Sequence, residues 1–205
     1  MRFADARILI FAKAPQPGLV KTRLIPALGA QGAADLQERL LRDTVERLAR
    51  ADLAPVELWC APHPDFDLFA ELAGDHGIAR YRQEGADLGE RMGHAARAAL
   101  ARSESVVLVG TDCPLLDGAY VARALTALKD RDAVLGPAED GGYALLGLKR
   151  AEAELFRDIP WGGDRVAALT RERMDLLGWD RAELPILWDL DRPEDLMRFE
   201  PLHVG

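Results

Sequence analysis

Short apolar runs alternate with longer amphipathic stretches along most of the chain. The runs are rich in branched residues and predict buried β-strands over 6–12, 56–61, 105–109 and 133–135. Between them, apolar residues recur at helical spacing and predict helices over 31–50, 66–72, 88–102 and 119–128. This alternation indicates βαβ units, and therefore a mostly parallel central sheet with helices on both faces.

The last third of the chain departs from this rhythm. The segment 141–148 predicts an added strand, with antiparallel pairing as one option. A helix over 164–177, a strand over 186–188 and a final helix over 193–199 follow. Because no internal repeat, low-complexity tract or linker divides the sequence, we expect a single α/β domain over residues 1–205.

Composition and charge narrow the class of protein. Apolar residues make up 49% and charged residues 29% of the 205 residues, which is ordinary for a folded globular chain. A net charge of −8 opposes binding to nucleic acid and to anionic membranes over most of the surface. There is no leader-like segment and no long apolar run, so we expect a cytoplasmic protein without a membrane span.

The segment 13–24 directly follows the first predicted strand, where open α/β sheets bind their ligands. Two prolines and Gly18 shape a loop that carries the cations Lys13, Lys21 and Arg23. Cations and backbone N–H groups complement phosphate oxygens, so this loop predicts a di- or triphosphate site, with a merely solvated surface loop as the alternative. It matches neither the P-loop nor the dinucleotide glycine pattern, which disfavours kinase-like and dehydrogenase functions.

Aspartates follow two later strands. Asp112 ends a buried strand, where its carboxylate could bind a hard cation; a helix-capping role fits Asp117 better. Asp189 and Asp191 alternate at the end of the last predicted strand and would share a face. Their repulsion favours a bound Mg²⁺ or Mn²⁺, with Asp191 as a helix cap the alternative. A phosphatase with an aspartate nucleophile would carry such a pair after the first strand and is disfavoured.

Asp140 precedes two glycines in the segment 136–143. Gly141 and Gly142 allow the backbone to approach a ligand closely, and Asp-Gly also favours a tight turn between strands. Both interpretations can hold at once. From this position we expect Asp140 to bind or deprotonate an acceptor hydroxyl.

Five ordered motifs, which together span the chain, resemble the DUF2064 family. They occupy residues 11–24, 87–92, 110–114, 136–143 and 189–196. Members of that family are described as glycosyltransferases with the GT-A, nucleotide-diphospho-sugar transferase fold. More distantly, the chain is similar to molybdenum-cofactor and phospholactate guanylyltransferases. The resemblance implies a Rossmann-like sheet with a nucleotide over its carboxyl edge.

The same resemblance implies a nucleotide or nucleotide-sugar donor, a small-molecule acceptor and a divalent ion, Mg²⁺ or Mn²⁺. Its nucleotide-binding residues would be Phe11, Ala12, Lys13, Gly18, Lys21, Arg23, Gln83, Gly89 and Arg91. The metal ligands would be Asp112, Asp189 and Asp191. From their positions and residue types, we expect Asp140 and Lys21 to be catalytic and the acceptor to meet Gly141, Gly142 and Trp161.

Two positions depart from the family pattern. Residue 110 is glycine where the D-x-D pattern has its first acid, so Asp189 or Asp191 would have to complete the metal site with Asp112. Trp161 is followed by two glycines where the family more often has Ser-Thr, which implies a difference in acceptor handling. Trp161 itself either stacks on a sugar or base or packs in the core.

The sequence therefore predicts metal-assisted glycosyl transfer from a nucleotide-diphospho-sugar. A nucleotidyltransferase that joins a nucleoside triphosphate to a phosphorylated acceptor is the nearest alternative, because one fold serves both reactions. A non-catalytic nucleotide-binding module is a third. A homodimer is left open.

Overall fold

A seven-stranded sheet with the order β3-β2-β1-β4-β6-β5-β7 runs through the centre of the protein. The computed structural model describes residues 1–199. All pairings are parallel except those of β6, which runs antiparallel to both of its neighbours. The strands are β1 Ala6–Lys13, β2 Val56–Ala61, β3 Ala79–Arg82, β4 Ser105–Val109, β5 Ala133–Pro137, β6 Tyr143–Leu148 and β7 Arg181–Glu183.

Helices cover both faces of this sheet, as the alternating pattern predicts. One face packs against α1, α2 and α4, and the opposite face packs against α3 and α5. Successive residues of β1 point to opposite faces of the sheet. Ile8 and Ile10 belong to the first core, which packs against α1, α2 and α4, and Leu9 belongs to the second core, which packs against α3 and α5. The helices are α1 Ile25–Arg50, α2 Asp67–His76, α3 Leu88–Leu100, α4 Gly118–Ala127, α5 Val166–Leu176 and α6 Pro193–Phe199.

The added strand near residue 141 is confirmed as antiparallel. Strand β6 follows β5 after only a five-residue connection, 138–142, which is too short for a crossover to a parallel neighbour. The chain therefore returns as a hairpin, and β6 is inserted between β4 and β5. The hairpin turn consequently lies at the carboxyl edge of the parallel strands.

The strand predicted over 186–188 is wrong, because this segment makes only a single bridge, between Leu187 and Ala138. The edge strand is instead β7, which pairs with β5. The apolar run near 187 has another cause: Trp188 and Leu190 pack against Leu40 and other residues of α1 in a third apolar cluster. The sequence also missed β3.

Helix α1 begins earlier than the predicted residue 31. It starts at Ile25, with Pro26 in its first turn, and is kinked at Gly29, whose φ is 72°. Proline is tolerated in the first turn of a helix, so Pro26 does not prevent this start. The kink at Gly29 interrupts the helical spacing of apolar residues, so the sequence pattern predicts only the part of the helix that follows it. Within residues 1–199, no helix combines the length and the apolar character that crossing a bilayer requires.

The amino end of β2 carries a buried carboxylate. Glu57 is 4% exposed and accepts two hydrogen bonds from Arg102, at 2.7 and 2.9 Å, and one from the Trp59 indole at 3.2 Å. A carboxylate taken out of water needs such partners, since burial without them costs several kcal/mol. This network ties β2 to the residues just after α3, at the edge of the sheet remote from the carboxyl ends.

We expect Glu57→Ala to lower the free energy of unfolding by about 2–3 kcal/mol, because Arg102 and the Trp59 indole both lose their acceptor. Urea denaturation followed by circular dichroism measures this. Glu46→Ala is the matched control, since Glu46 only pairs with Arg50 on the helix surface and should cost less than about 0.5 kcal/mol. Equal losses for the two variants would contradict a structural role for the buried network.

Candidate nucleotide-binding and transfer site

A cleft of about 1250 Å³ opens along the carboxyl edge of the sheet. It is lined by residues at or after the ends of β1, β2, β3 and β4, by the hairpin turn, and by the start of α3. Ligands of open α/β sheets bind at this edge. The sequence-predicted residues that line the cleft are Phe11, Ala12, Lys13, Lys21, Arg23, Gln83, Arg91, Asp112, Asp140, Gly142, Trp161, Asp189 and Asp191.

Lys21 joins three segments that are distant in sequence. Its side chain is only 2% exposed, and its Nζ lies 2.7 Å from Asp112 Oδ1 while donating to the Leu190 carbonyl at 2.6 Å. The Leu190 N–H in turn donates to the Asp112 carbonyl at 2.8 Å. The first loop, the end of β4 and the segment 189–191 therefore form one unit around a buried ammonium group, which we call the Lys21 junction.

A second cation–carboxylate pair lies beside the Lys21 junction, between Arg23 and Asp191. The Arg23 side chain is 58% exposed, so this pair faces the cleft rather than the core. Lys13, the third cation of the loop, donates to the Leu19 carbonyl at 2.6 Å and so closes the loop on itself. Two of the three predicted phosphate-binding cations thus already contact predicted metal-binding acids.

Asp189 makes no ion pair with any of residues 1–199. Burial, followed by the negative charge of nearby Asp140, raises the pKa of Asp189 to about 6. Asp191 and Asp112 act in the same direction. This end of the cleft therefore carries an excess of negative charge, which a cation could neutralise.

The hairpin turn places Asp140 and Gly142 in the cleft but Gly141 elsewhere. Asp140 Oδ1 accepts a hydrogen bond from the Gly142 N–H at 2.7 Å, which holds the turn. Gly141 has a φ of 88°, and a Cβ there would lie 1.9 Å from the Asp164 carbonyl oxygen. The backbone of Gly141 therefore lies close to the segment that precedes α5. The sequence pattern predicted a close contact with the acceptor instead.

Gly89 and Gly18 are likewise outside the lining of the cleft. A Cβ on Gly89 would lie 2.5 Å from the Trp161 ring, so Gly89 provides the space in which that indole sits on α3. Trp161 both packs against the second core and lines the cleft, and its indole nitrogen is buried without a hydrogen-bond partner. Gly18 supplies a positive φ of 81° to the first loop and has open space around it.

The sequence prediction missed a buried polar pair beneath the acids. Gln37 of α1 is 5% exposed and donates to the Thr111 hydroxyl at 3.2 Å, and both residues line the cleft. Thr111 directly precedes Asp112, so the pair supports the position of that carboxylate. The sequence feature that could have revealed this pair is the position of Gln37 on the apolar stripe of α1, one turn before Leu41.

The donor chemistry of this site suits a divalent ion, because carboxylate oxygens are the ligands that Mg²⁺ and Mn²⁺ prefer and the cluster is electrostatically unbalanced. Among residues 1–199, however, no three acidic, histidine or cysteine side chains are grouped closely enough to hold one. Asp112 and Asp191 face Lys21 and Arg23 instead. An ion would therefore need those cations to move from the carboxylates.

Comparison with known proteins agrees with this architecture. The family model described as an uncharacterized protein conserved in bacteria, DUF2064, matches residues 44–163. A crystal structure from Desulfovibrio desulfuricans G20 has 34% sequence identity and a TM-score of 0.86, and the match covers 98% of this chain and 90% of that one. The chain belongs to the DUF2064 family. No curated protein matches it.

Several solved structures that are similar to this DUF2064 protein are described as transferases. The Desulfovibrio structure is provisionally assigned as a nucleotide-diphospho-sugar transferase. A cytidylyltransferase from Leptospira borgpetersenii has 17% identity and a TM-score of 0.64 over 96% of this chain and 85% of its own. Glucosyl-3-phosphoglycerate synthase from Mycobacterium tuberculosis, solved with Mn²⁺ and UDP, has 13% identity and a TM-score of 0.59 over 95% and 75%. The predicted fold and the transferase class are confirmed.

We expect Lys21→Met to lower the free energy of unfolding of the DUF2064 protein by about 2 kcal/mol, because the Leu190 carbonyl and Asp112 lose a buried donor. Lys13→Met is the matched control and should cost less than about 1 kcal/mol, since only a loop carbonyl loses its partner. Urea denaturation gives both values. Similar losses would show that the buried junction is no more important than the loop closure.

We expect Asp189→Asn to stabilise the protein near neutral pH. The raised pKa means that the folded state binds more protons than the unfolded state between about pH 4 and 6, so stability falls as pH rises through this range. Asparagine resembles the protonated acid and avoids that loss, which we put at about 1–2 kcal/mol after discounting for partial exposure.

Thermal melts of both proteins in a metal chelator, from about pH 4 to pH 8, test this expectation. The melting temperature of Asp189→Asn should exceed that of the parent at pH 8, and the difference should shrink towards pH 4. A difference that does not change with pH would contradict the electrostatic origin.

Proposed function

We propose that this DUF2064 protein is a glycosyltransferase that binds a nucleotide-diphospho-sugar donor and a divalent ion in the cleft. The observation that carries the proposal is the Lys21 junction. It brings two cations and several aspartates to one end of a cleft at the carboxyl edge of the sheet. The assignment of the Desulfovibrio relative, at 34% identity, supports the choice of donor.

The cations of the first loop would bind the donor through its phosphates. Arg23 is exposed to the cleft, and the Lys21 ammonium has a third N–H beyond its two observed contacts. Both can stabilise the negative charge that develops on the leaving diphosphate. Phe11, Gln83 and Arg91 line the opposite part of the cleft and would surround the nucleoside.

Donor binding and metal binding would then be coupled. When phosphate oxygens attract Lys21 and Arg23, their carboxylate partners Asp112 and Asp191 become available as ligands. With Asp189, these acids would hold Mg²⁺ or Mn²⁺, which when bound would supply further charge neutralisation at the diphosphate. We therefore expect nucleotide diphosphate and ion to bind more tightly together than either does alone.

The acceptor side of the cleft is formed by the hairpin turn and Trp161. Asp140 is exposed in the cleft, where it can accept the proton of an acceptor hydroxyl. The hydroxyl oxygen would form a bond to the anomeric carbon of the sugar while the bond from that carbon to the diphosphate oxygen breaks. The products are a glycoside, a nucleoside diphosphate and a protonated Asp140.

Nucleotidyl transfer is the second candidate, and the likeness to a cytidylyltransferase favours it. In that reaction the cations would bind a triphosphate, and an acceptor phosphate would displace pyrophosphate from the nucleotide. The two reactions differ in what they release, so the products separate them.

The test is to incubate the protein with Mg²⁺ or Mn²⁺, a panel of nucleotide sugars or triphosphates, and small hydroxylated or phosphorylated acceptors. We expect acceptor-dependent release of a nucleoside diphosphate from a nucleotide sugar. Release of pyrophosphate from a triphosphate would instead identify a nucleotidyltransferase. Ion-dependent nucleotide binding without any product would identify a non-catalytic binding module.

Asp140→Asn should lower kcat for the acceptor reaction by about 100-fold or more and leave donor affinity unchanged, because it removes the proton acceptor and keeps the shape. Asp130→Asn, an exposed position outside the cleft lining, is the matched control and should behave like the parent. Steady-state kinetics and calorimetric titration of donor provide the two readouts. An unaltered kcat would remove Asp140 from the chemistry.

A further inference from the structure

Gln83 connects the carboxyl ends of three strands. Its backbone N–H donates to the Cys60 carbonyl at 2.9 Å, which continues the pairing of β3 with β2 by one step. Its side-chain nitrogen donates to the Trp59 carbonyl of β2 at 2.9 Å and to the Ala12 carbonyl of β1 at 3.1 Å. The side chain is thereby fixed across the ends of β2 and β1.

These contacts determine which way the amide points. An amide can be reversed when its neighbours can both donate and accept, but both neighbours here are backbone carbonyls and can only accept. The nitrogen must therefore face the strands, and both of its hydrogens are used. The only hydrogen-bonding atom left on the side chain is the carbonyl oxygen, Oε1, which accepts and cannot donate.

Gln83 Oε1 is the part of this side chain that a ligand can reach. No hydrogen bond to it is formed within residues 1–199, and it is absent from the buried polar atoms of that region that lack a partner. The residue itself is half-buried and lines the cleft. The oxygen is therefore in contact with solvent, with its orientation fixed by two strands.

The surroundings of Gln83 suit a planar ring. Phe11 lines the same cleft and stacks on the buried Trp59, with ring centroids 6.5 Å apart and planes inclined by 13°. The ends of β3 and β4 are separated by three strand spacings, or about 14 Å, with Lys21 at the β4 side. That separation matches the extended length of a nucleoside diphosphate from base to terminal phosphate.

We propose that Gln83 Oε1 selects a nucleotide whose base carries an exocyclic amino group, such as cytosine or guanine, over uracil or hypoxanthine. The inference rests on the proposed binding of a nucleotide in this cleft. An amino group donates to Oε1, whereas a base carbonyl in the same place sets two acceptors against each other and removes the water that Oε1 otherwise binds.

A site that binds one hydrogen-bonding partner rejects the analogue that lacks it, because its own polar group is left unpaired. Gln83 cannot adapt by turning its amide, since that would set Oε1 against the carbonyls of Trp59 and Ala12. Arg82 and Arg91 supply donors elsewhere on the same wall of the cleft, so a base carbonyl can still be bound at a different edge. Selectivity is therefore best measured between bases that differ only at the amino group.

The experiment is calorimetric titration of the full chain with CDP, UDP, GDP and IDP in the presence of Mg²⁺. The first two differ by an amino group in place of a carbonyl, and the last two by the presence or absence of an amino group. The tightest ligand of the four should carry the amino group and bind at least about tenfold more tightly than its counterpart. A tightest ligand without an amino group, or a smaller ratio, would overturn the inference.

Two variants assign the selectivity to this side chain. Gln83→Met removes donors and acceptor at similar volume and should reduce the ratio to about one. Gln83→Lys can still donate to the Trp59 and Ala12 carbonyls but presents an N–H to the cleft, so it should reverse the preference towards uracil or hypoxanthine. Gln31→Met, an exposed site that pairs only with Asp35, is the matched control and should keep the parent ratio.

Circular dichroism melts establish that each variant is folded before its ratio is compared. A folded Gln83→Met or Gln83→Lys with the parent's ratio would overturn the role of Gln83 while leaving nucleotide binding intact. If the parent binds none of the four nucleotides, the proposed function fails as well, and the two failures are thereby distinguished.

Discussion

A buried ammonium group is the constraint around which this site is organised. Lys21 has lost almost all of its hydration, and its charge is compensated by Asp112 and by a main-chain carbonyl that follows Asp189. Because it belongs to the loop after β1, the first strand, the fourth strand and the far end of the chain are fixed relative to one another. The three segments that form this end of the cleft are therefore held together by one charged contact.

The same arrangement only partly balances the charges of the cleft. Lys21 and Arg23 pair with Asp112 and Asp191, whereas Asp189 keeps no cationic partner among the described residues. In the proposed function, a bound diphosphate would attract both cations and leave the acids available to an ion. Asp189 has no ion-pair partner within the described chain, and its pKa is raised first by burial and then by the repulsion of neighbouring carboxylates.

Much of the fold was predictable from the sequence, and the exceptions have physical reasons. Buried strands such as β1 and β4 are continuous branched runs because both faces are covered, so their signal is strong. The edge strands β3 and β7 contain arginines, and their side chains are half-buried or exposed, so they resemble loops. The run that includes Trp188 was misread because side chains that pack on a helix are as apolar as those of a strand.

The site was predictable by residue type but not by contact. Aspartates and lysines after strands indicated the edge of the sheet at which the cleft lies, whereas the burial of Lys21 and the contact of Gln37 with Thr111 beside Asp112 depend on tertiary packing. No sequence pattern tells a solvated lysine from one that crosses to another segment. The orientation of the Gln83 amide likewise depends on the backbone carbonyls of Ala12 in β1 and Trp59 in β2.

Two glycines make room for the connection between β6 and α5, which includes Trp161. Trp161 occupies the space that a side chain at residue 89 would take, and the chain before α5 occupies the space at residue 141. The long connection between β6 and α5 thus packs against α3 at residue 89 and against the hairpin turn at residue 141. Such a connection can change in length and sequence between these two positions while keeping its contacts at Gly89 and Gly141. In the proposed function, acceptor preference could therefore diversify during evolution, or be redesigned, without rebuilding the proposed nucleotide site.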